Sequence, residues 1–321
     1  MKKDKLKKLL SSEISILLVL MLLCIVVSVI TPSFASWKNI LNVLQRTAST
    51  GIVAIGMTFV IATGGIDLSV GGQVTLMGIL AAMAFAAGLP TAVVVAMIFA
   101  LGVIFGAFNG LFVAKLKFPA FMVTLSLQLI TYGFSLYLTS GRSILISRAG
   151  FDFWGLGRLA GIPVPIFIFV LVTLVGLVLL KKFTIGRKIL AVGSNEKGAW
   201  YAGINVVKTT FAAYIIAGVT ASITTVILSS KLMSATPTLG DSLELDAIAA
   251  VVIGGTSLSG GSGFIFGTVA GSLIIEVISN WMTLQNINPF LRDVVKGGII
   301  LLALLIDNVR RGKLSKNEFA G

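Results

Sequence analysis

The 321-residue chain is 56% apolar and only 12% charged, with a mean hydropathy of +1.03, a balance that excludes an ordinary soluble domain. Its net charge of +13 would point a soluble chain towards nucleic acid, but here the basic residues flank apolar runs and form no aromatic-interleaved patch, so no nucleic-acid partner is expected. With no histidine and a single cysteine, Cys24, the chain cannot build a histidine triad, a zinc site or an internal disulfide.

The chain reads as an all-α polytopic membrane protein of one domain, residues 1–321, because no segment outside the apolar runs is long enough to build its own core. It opens with a basic tail, residues 1–13, followed by an apolar run from Ile14 to Ile30. Ser33, Phe34 and Ala35 offer a small-x-small cleavage pattern, yet the run is longer than a signal core and more apolar runs follow, so an uncleaved first span is expected. Further spans are predicted over 40–63, 71–88, 91–113, 119–139, 164–180, 207–229, 243–257, 263–280 and 290–306, about ten in all. With the amino terminus inside, 17 of the 25 basic residues collect on the cytoplasmic side, which places both termini, including the tail 307–321, in the cytoplasm.

Gly102, Gly106 and Gly110 are spaced by four, as are Gly263, Gly267 and Gly271, which predicts close helix packing ahead of a direct role in transport. The loops Ser140 to Pro163 and Ser230 to Ser242 are read as surface pieces facing a partner. A short echo links GGIDLSVGG, Gly64 to Gly72, with GGTSLSGGS, Gly254 to Ser262, and hints at a duplication whose two copies face the same side.

Asp67 stands out as an acid in a glycine-rich break after a long apolar run. Charge near the bilayer centre costs on the order of 3 kcal/mol on insertion scales, so such a group either caps the next helix or contacts the solute path. Asn109, Thr124 and Gln128 add neutral hydrogen-bonding groups within spans, which suit a polyhydroxylated solute or bond helix to helix. Glu276 is expected to be neutralised by Arg292, which with Asp293 opens the last span. There is no lysine-bearing phosphate loop, no carboxylate pair and no relay of acids, so neither an enzyme, a metal or cofactor site, nor an ion-coupled carrier finds support in these residues.

The longest polar interruption, Lys181 to Val206, lies between two hydrophobic halves, and its basic excess marks a cytoplasmic loop. Asn195 is a candidate N-cap, Glu196 suits a first turn, and Gly203 ends a helix of about two turns. That helix is either a docking element or an interfacial helix anchored by Trp200 and Tyr201.

Four stretches in order, GIVAIGMTFVIATGGIDLSVGG, FGAFNGLFVAKLKFPAFMVTLSL, GRKILAVGSNEKGAWYAGINV and AIAAVVIGGTSLSGGSGFIFGTVAGSLI, make the chain from Ile40 to Arg311 resemble the permease subunits of ribose-type bacterial ABC importers. In the third stretch the matching positions are Gly186, Arg187, Ala191, Gly193, Asn195, Glu196, Ala199, Gly203, Ile204 and Asn205, while Gly198 and Tyr201 depart from the pattern. The resemblance implies a multi-pass subunit of the bacterial inner or plasma membrane, paired with a second copy or a homologous permease. An ATPase subunit would dock on residues 181–206, and a solute-binding protein would deliver a small neutral sugar from the other side. Related branches carry nucleosides and other solutes, so these remain alternatives to a pentose or hexose.

Overall fold

The computed structural model describes residues 12–288 and, beyond them, 291, 294–299, 301, 302 and 305. The basic tail up to Ser11, Arg292 and Asp293, and the tail 307–321 lie outside the described residues, and the span expected over 290–306 lies inside them only in part.

Apolar runs form helices here because a backbone shielded from water must satisfy its own polar groups. The helices are α1 (Ser12–Ile30), α2 (Trp37–Ala62), α3 (Val70–Ala86), α4 (Thr91–Gly110), α5 (Ala120–Thr139), the single turn α6 (Phe153–Leu156), α7 (Val164–Lys181), α8 (Thr184–Ser194), α9 (Glu196–Tyr201), α10 (Val206–Leu232), α11 (Leu243–Ile253) and α12 (Ile265–Leu284). A π-helical turn, Leu111–Lys115, extends α4. Among the described residues, six helices are long and apolar enough to cross a membrane: α2, α4 with its extension, α5, α7, α10 and α12. The apolar helices α1 and α3 are somewhat shorter.

At the centre, α10 packs against α2, α3 and α4, burying Tyr214, Ala217 and Ala221 among them. The first glycine stripe lies in that contact. A Cβ on Gly102 would collide with the Gly218 carbonyl and the Ser222 hydroxyl, and one on Gly106 would meet the Ile215 backbone at 2.9 Å. The second stripe does the same between α12 and α11, where Gly267 abuts Gly254 and Gly271 abuts Ala250. Both stripes are packing devices, as expected from small residues at this spacing. At the rim, α1 buries Ile16 against Ala270 and Ile274 of α12 and turns Leu22, Ile25 and Val29 outward.

Three expectations change. The run 243–257 forms only an 11-residue helix, α11, about 16 Å long and so roughly half a bilayer crossing. The stretch before it is not merely a surface loop: Gly240 packs on the Gly71 backbone and its N–H donates to Thr75 Oγ1 at 3.0 Å. The loop after α5 also folds onto the bundle. Its strand β1 (Ile144–Leu145) pairs with β4 (Ser234–Ala235), while β2 (Arg158–Leu159) and β3 (Ile162–Pro163) form a small hairpin. Phe151 is fully buried there, 4.8 Å from the Phe85 ring.

Candidate functional site

The connection between α7 and α10 is built by local rules. Gly186 lets α8 turn beneath the carbonyls of Leu179 and Leu180, where a Cβ would collide. Asn195 caps α9 by accepting from Gly198 N at 2.8 Å. Gly203, at φ +77°, closes it, with its N–H on Trp200 O at 2.9 Å and that of Ile204 on Ala199 O at 3.0 Å. Ala199 is the buried face of this short helix, set against Val192 and Val206. Trp200 and Tyr201, 65% and 80% exposed, form the opposite face with their rings in a T-shaped pair, centroids 5.0 Å apart. Beside them lies an open cleft of about 730 Å³, walled by Lys117, Glu196, Tyr201, Ile204 and Val207. Glu196 pairs with Lys117 at 2.5 Å, both half exposed, and Arg187 reaches the Lys182 carbonyl at 3.4 Å.

The end of α8 touches the second echoed glycine segment and the last residue of α2, just before the first. Gly261 N donates to Ala62 O at 3.0 Å, and a Cβ on Gly193 would collide with that carbonyl. Gly260, at φ +81°, has no room for one either, since it would stand 2.8 Å from Gly64 N and 2.9 Å from Gly193 O. The two echoed stretches therefore meet each other, backbone on backbone, at the end of the bundle that carries α8 and α9.

Asp67 follows directly from this junction and is 0% exposed. Its Oδ1 accepts from Ser69 N at 2.9 Å and from Ser69 Oγ at 2.5 Å, and Asn109 Nδ2 reaches both carboxylate oxygens at 3.3 Å. Ser69 Oγ in turn accepts from Asn109 at 2.8 Å and from Gln73 Nε2 at 2.7 Å. Thr124 joins by donating to Ile66 O at 3.3 Å. Three of the four residues picked out for the solute path thus gather in a network that secures the break between α2 and α3; both Asp67 oxygens are bonded, while Asn109 Oδ1, Gln73 Oε1 and the Tyr214 hydroxyl are buried there without a hydrogen bond.

Gln128 goes elsewhere. Its Nε2 donates to Glu244 Oε1 at 2.8 Å, at the start of α11. Glu244 is 6% exposed, and its second oxygen, Oε2, has no hydrogen-bond partner. That oxygen faces the bare backbone of Gly71, where a Cβ would collide with it. Tyr132, one turn along α5 from Gln128, lies beside Glu244 and Thr75, and its hydroxyl makes no hydrogen bond of normal geometry. Sequence reasoning passed over Glu244. The signal was available, since Glu244 and Asp246 are acids within an otherwise apolar run, the argument that singled out Asp67.

Glu276 receives Arg46 of α2 at 2.5 Å, whereas the expected partner Arg292 is outside the described residues. Lys296 pairs with Asp246 at 2.9 Å. These ion pairs link α2, α11 and α12 with the chain beyond α12.

A family model for the permease component of the branched-chain amino acid transport system matches residues 39–304. The ribose import permease protein of Bacillus subtilis is 44% identical over 90% of this chain and 90% of its own length. That of Escherichia coli K12 is 40% identical over 92% and 93% respectively. A xylose transport system permease protein of Haemophilus influenzae is 36% identical, covering 88% of this chain and 92% of that one. No solved structure matches the chain.

Proposed function

Because the chain belongs to the family of permease components of the branched-chain amino acid transport system type, a multi-pass transport component and not an enzyme, we propose that it passes a small neutral sugar, a pentose or hexose, in an ATP-driven importer. The observation that carries the sugar reading is the 40–44% identity to ribose import permease proteins over at least nine-tenths of the chain. It outweighs the amino-acid wording of the family description, because it is a match to individual proteins over nearly their whole length.

ATP is hydrolysed by a partner subunit that docks on α9 and its cleft, using Gly186, Arg187, Asn195, Glu196, Ala199 and Gly203 to shape the contact. The physical support is that α9 is held rigidly by its two caps while Trp200 and Tyr201 stay exposed beside a concave surface. A second permease copy or a homologue completes the path, and a solute-binding protein delivers the sugar on the far side of the inner membrane. The chain makes about ten passages with both termini cytoplasmic, one of them shared between α11 and the irregular stretch before it. Irregular backbone at membrane depth is tolerated where it is buried in protein or lines a cavity, and transporters place solute contacts at such breaks.

The test is reconstitution in proteoliposomes with the ATPase and binding protein. ATP-dependent ribose uptake is expected. Uptake driven by a proton or sodium gradient with this chain alone overturns the class, and import of only a nucleoside or an amino acid overturns the sugar. Orientation is read from a cysteine at Ser194 on a Cys24→Ser background, where labelling from outside intact cells contradicts a cytoplasmic α8–α9 connection.

A further inference from the structure

Glu244 is a buried carboxylate with one oxygen bonded by Gln128 and the other unpartnered, next to a tyrosine hydroxyl that also lacks a hydrogen bond of normal geometry. A buried anion is costly unless its lone pairs are filled, so an arrangement that leaves one empty calls for a donor that arrives. We infer that Glu244, Gln128 and Tyr132 form a gate that takes the hydroxyl groups of the passing sugar, with Glu244 Oε2 accepting from them. This rests on the sugar-permease reading above and deepens it.

Position supports the assignment. Gln128 and Tyr132 are separated by four residues and share one face of α5, about midway along a 20-residue helix, so the cradle sits near the middle of the crossing. On the other side stand the first turn of α11 and the irregular segment before it, whose Thr238 and Asp241 are exposed. Unlike Asp67, the group therefore has a neighbour open to the outside of the chain. Gly71 and Gly240 press their backbones together across it, and the Thr75–Gly240 hydrogen bond holds the segment down, so the cradle is shut in this conformation.

Chemistry selects the ligand class. A carboxylate oxygen without a partner accepts hydroxyl protons, the Gln128 amide and the Tyr132 hydroxyl supply complementary donors and acceptors, and among the described residues the ion-paired cations go to Glu276, Glu196 and Asp246, not to Glu244. A neutral polyol can replace each missing hydrogen bond and gives all of them back on leaving.

The experiment uses the full transporter in proteoliposomes, with the binding protein saturated in turn by D-ribose and by its monodeoxy analogues, so that rate differences report the permease. The wild type is expected to pass ribose faster than at least one analogue. Glu244→Gln should lower ribose uptake by about tenfold, the factor carried by one charge-assisted hydrogen bond, and bring the ribose-to-analogue ratio close to one. Tyr132→Phe should lower uptake by a smaller factor with the same change of direction in the ratio. Co-purification with the ATPase confirms that each variant assembles; if Glu244→Gln does not, Tyr132→Phe, which removes one hydroxyl, decides alone. Unchanged uptake, or reduced uptake with an unchanged ratio, overturns the gate and leaves the permease reading in place, the latter outcome marking a purely structural pairing of α5 with α11. A wild type that passes no neutral sugar overturns both.

Discussion

The two buried carboxylates at the starts of helices, Asp67 before α3 and Glu244 in α11, are built from the same parts and finished differently. Each has an amide from a neighbouring helix and a nearby hydroxyl. Around Asp67 both carboxylate oxygens are taken, by Ser69 and Asn109. Around Glu244 one oxygen is taken and one is not. A carboxylate with both oxygens bonded spends its interaction energy within the fold, whereas one with a free oxygen keeps some available for a ligand. Residue type and location alone do not separate a brace from a binding group; the count of filled lone pairs does.

The comparison breaks most sharply under alanine substitution. Asp67→Ala strips the acceptor from Ser69 N–H, the Ser69 hydroxyl and the Asn109 amide, and is expected to cost about 3 kcal/mol or more, whereas Glu244→Ala, losing one hydrogen bond, should cost about 1 kcal/mol. Melting of the detergent-purified protein measures both, and equal losses would erase the distinction. Next in size, Gly260→Val at φ +81° against Gly64 should cost about 2 kcal/mol. It should couple to Asp67→Ala in a double mutant while adding to Glu244→Ala within about 0.5 kcal/mol, because only the first pair shares the junction. Asn195→Ala removes the α9 cap for about 1 kcal/mol and touches neither carboxylate. Weaker retention of the ATPase on a column, with a drop in melting no larger than that of Glu244→Ala, is the expected pattern. Lys117→Ala, which removes an exposed ion pair with Glu196, should change stability by less than about 1 kcal/mol, and by less still in high salt.

Much of this fold is legible in the chain because its signals are local. An apolar run of spanning length becomes a helix, Asn195 caps the turn that follows it, and Gly203 adopts the left-handed conformation that ends it. Asp67 is legible for the same reason, since the Ser69 N–H it accepts is two residues away. What stayed hidden depends on long-range partners. Gln128 and Glu244 are 116 positions apart, and nothing local distinguishes an amide that faces Asp67 from one that faces α11. Arg46 of α2 reaches Glu276 of α12 because those helices are neighbours in space, whereas chain order suggested the following span. The half-length of α11 was masked by an apolar run that continues past Ile253 into glycine-rich turns.

The junction of Gly64, Gly193 and Gly260 also bears on how force moves through the molecule. Where side chains separate two elements, a small shift is taken up by rotamer changes and goes no further. Here no side chain intervenes, and main-chain atoms rest on main-chain atoms tied by the Gly261–Ala62 hydrogen bond. Such a joint has almost no play. A push on α8 of a fraction of an ångström must either strain that bond or be passed on to the loop that carries Asp67, so a joint with little slack lies just behind the helix that exposes Trp200 and Tyr201.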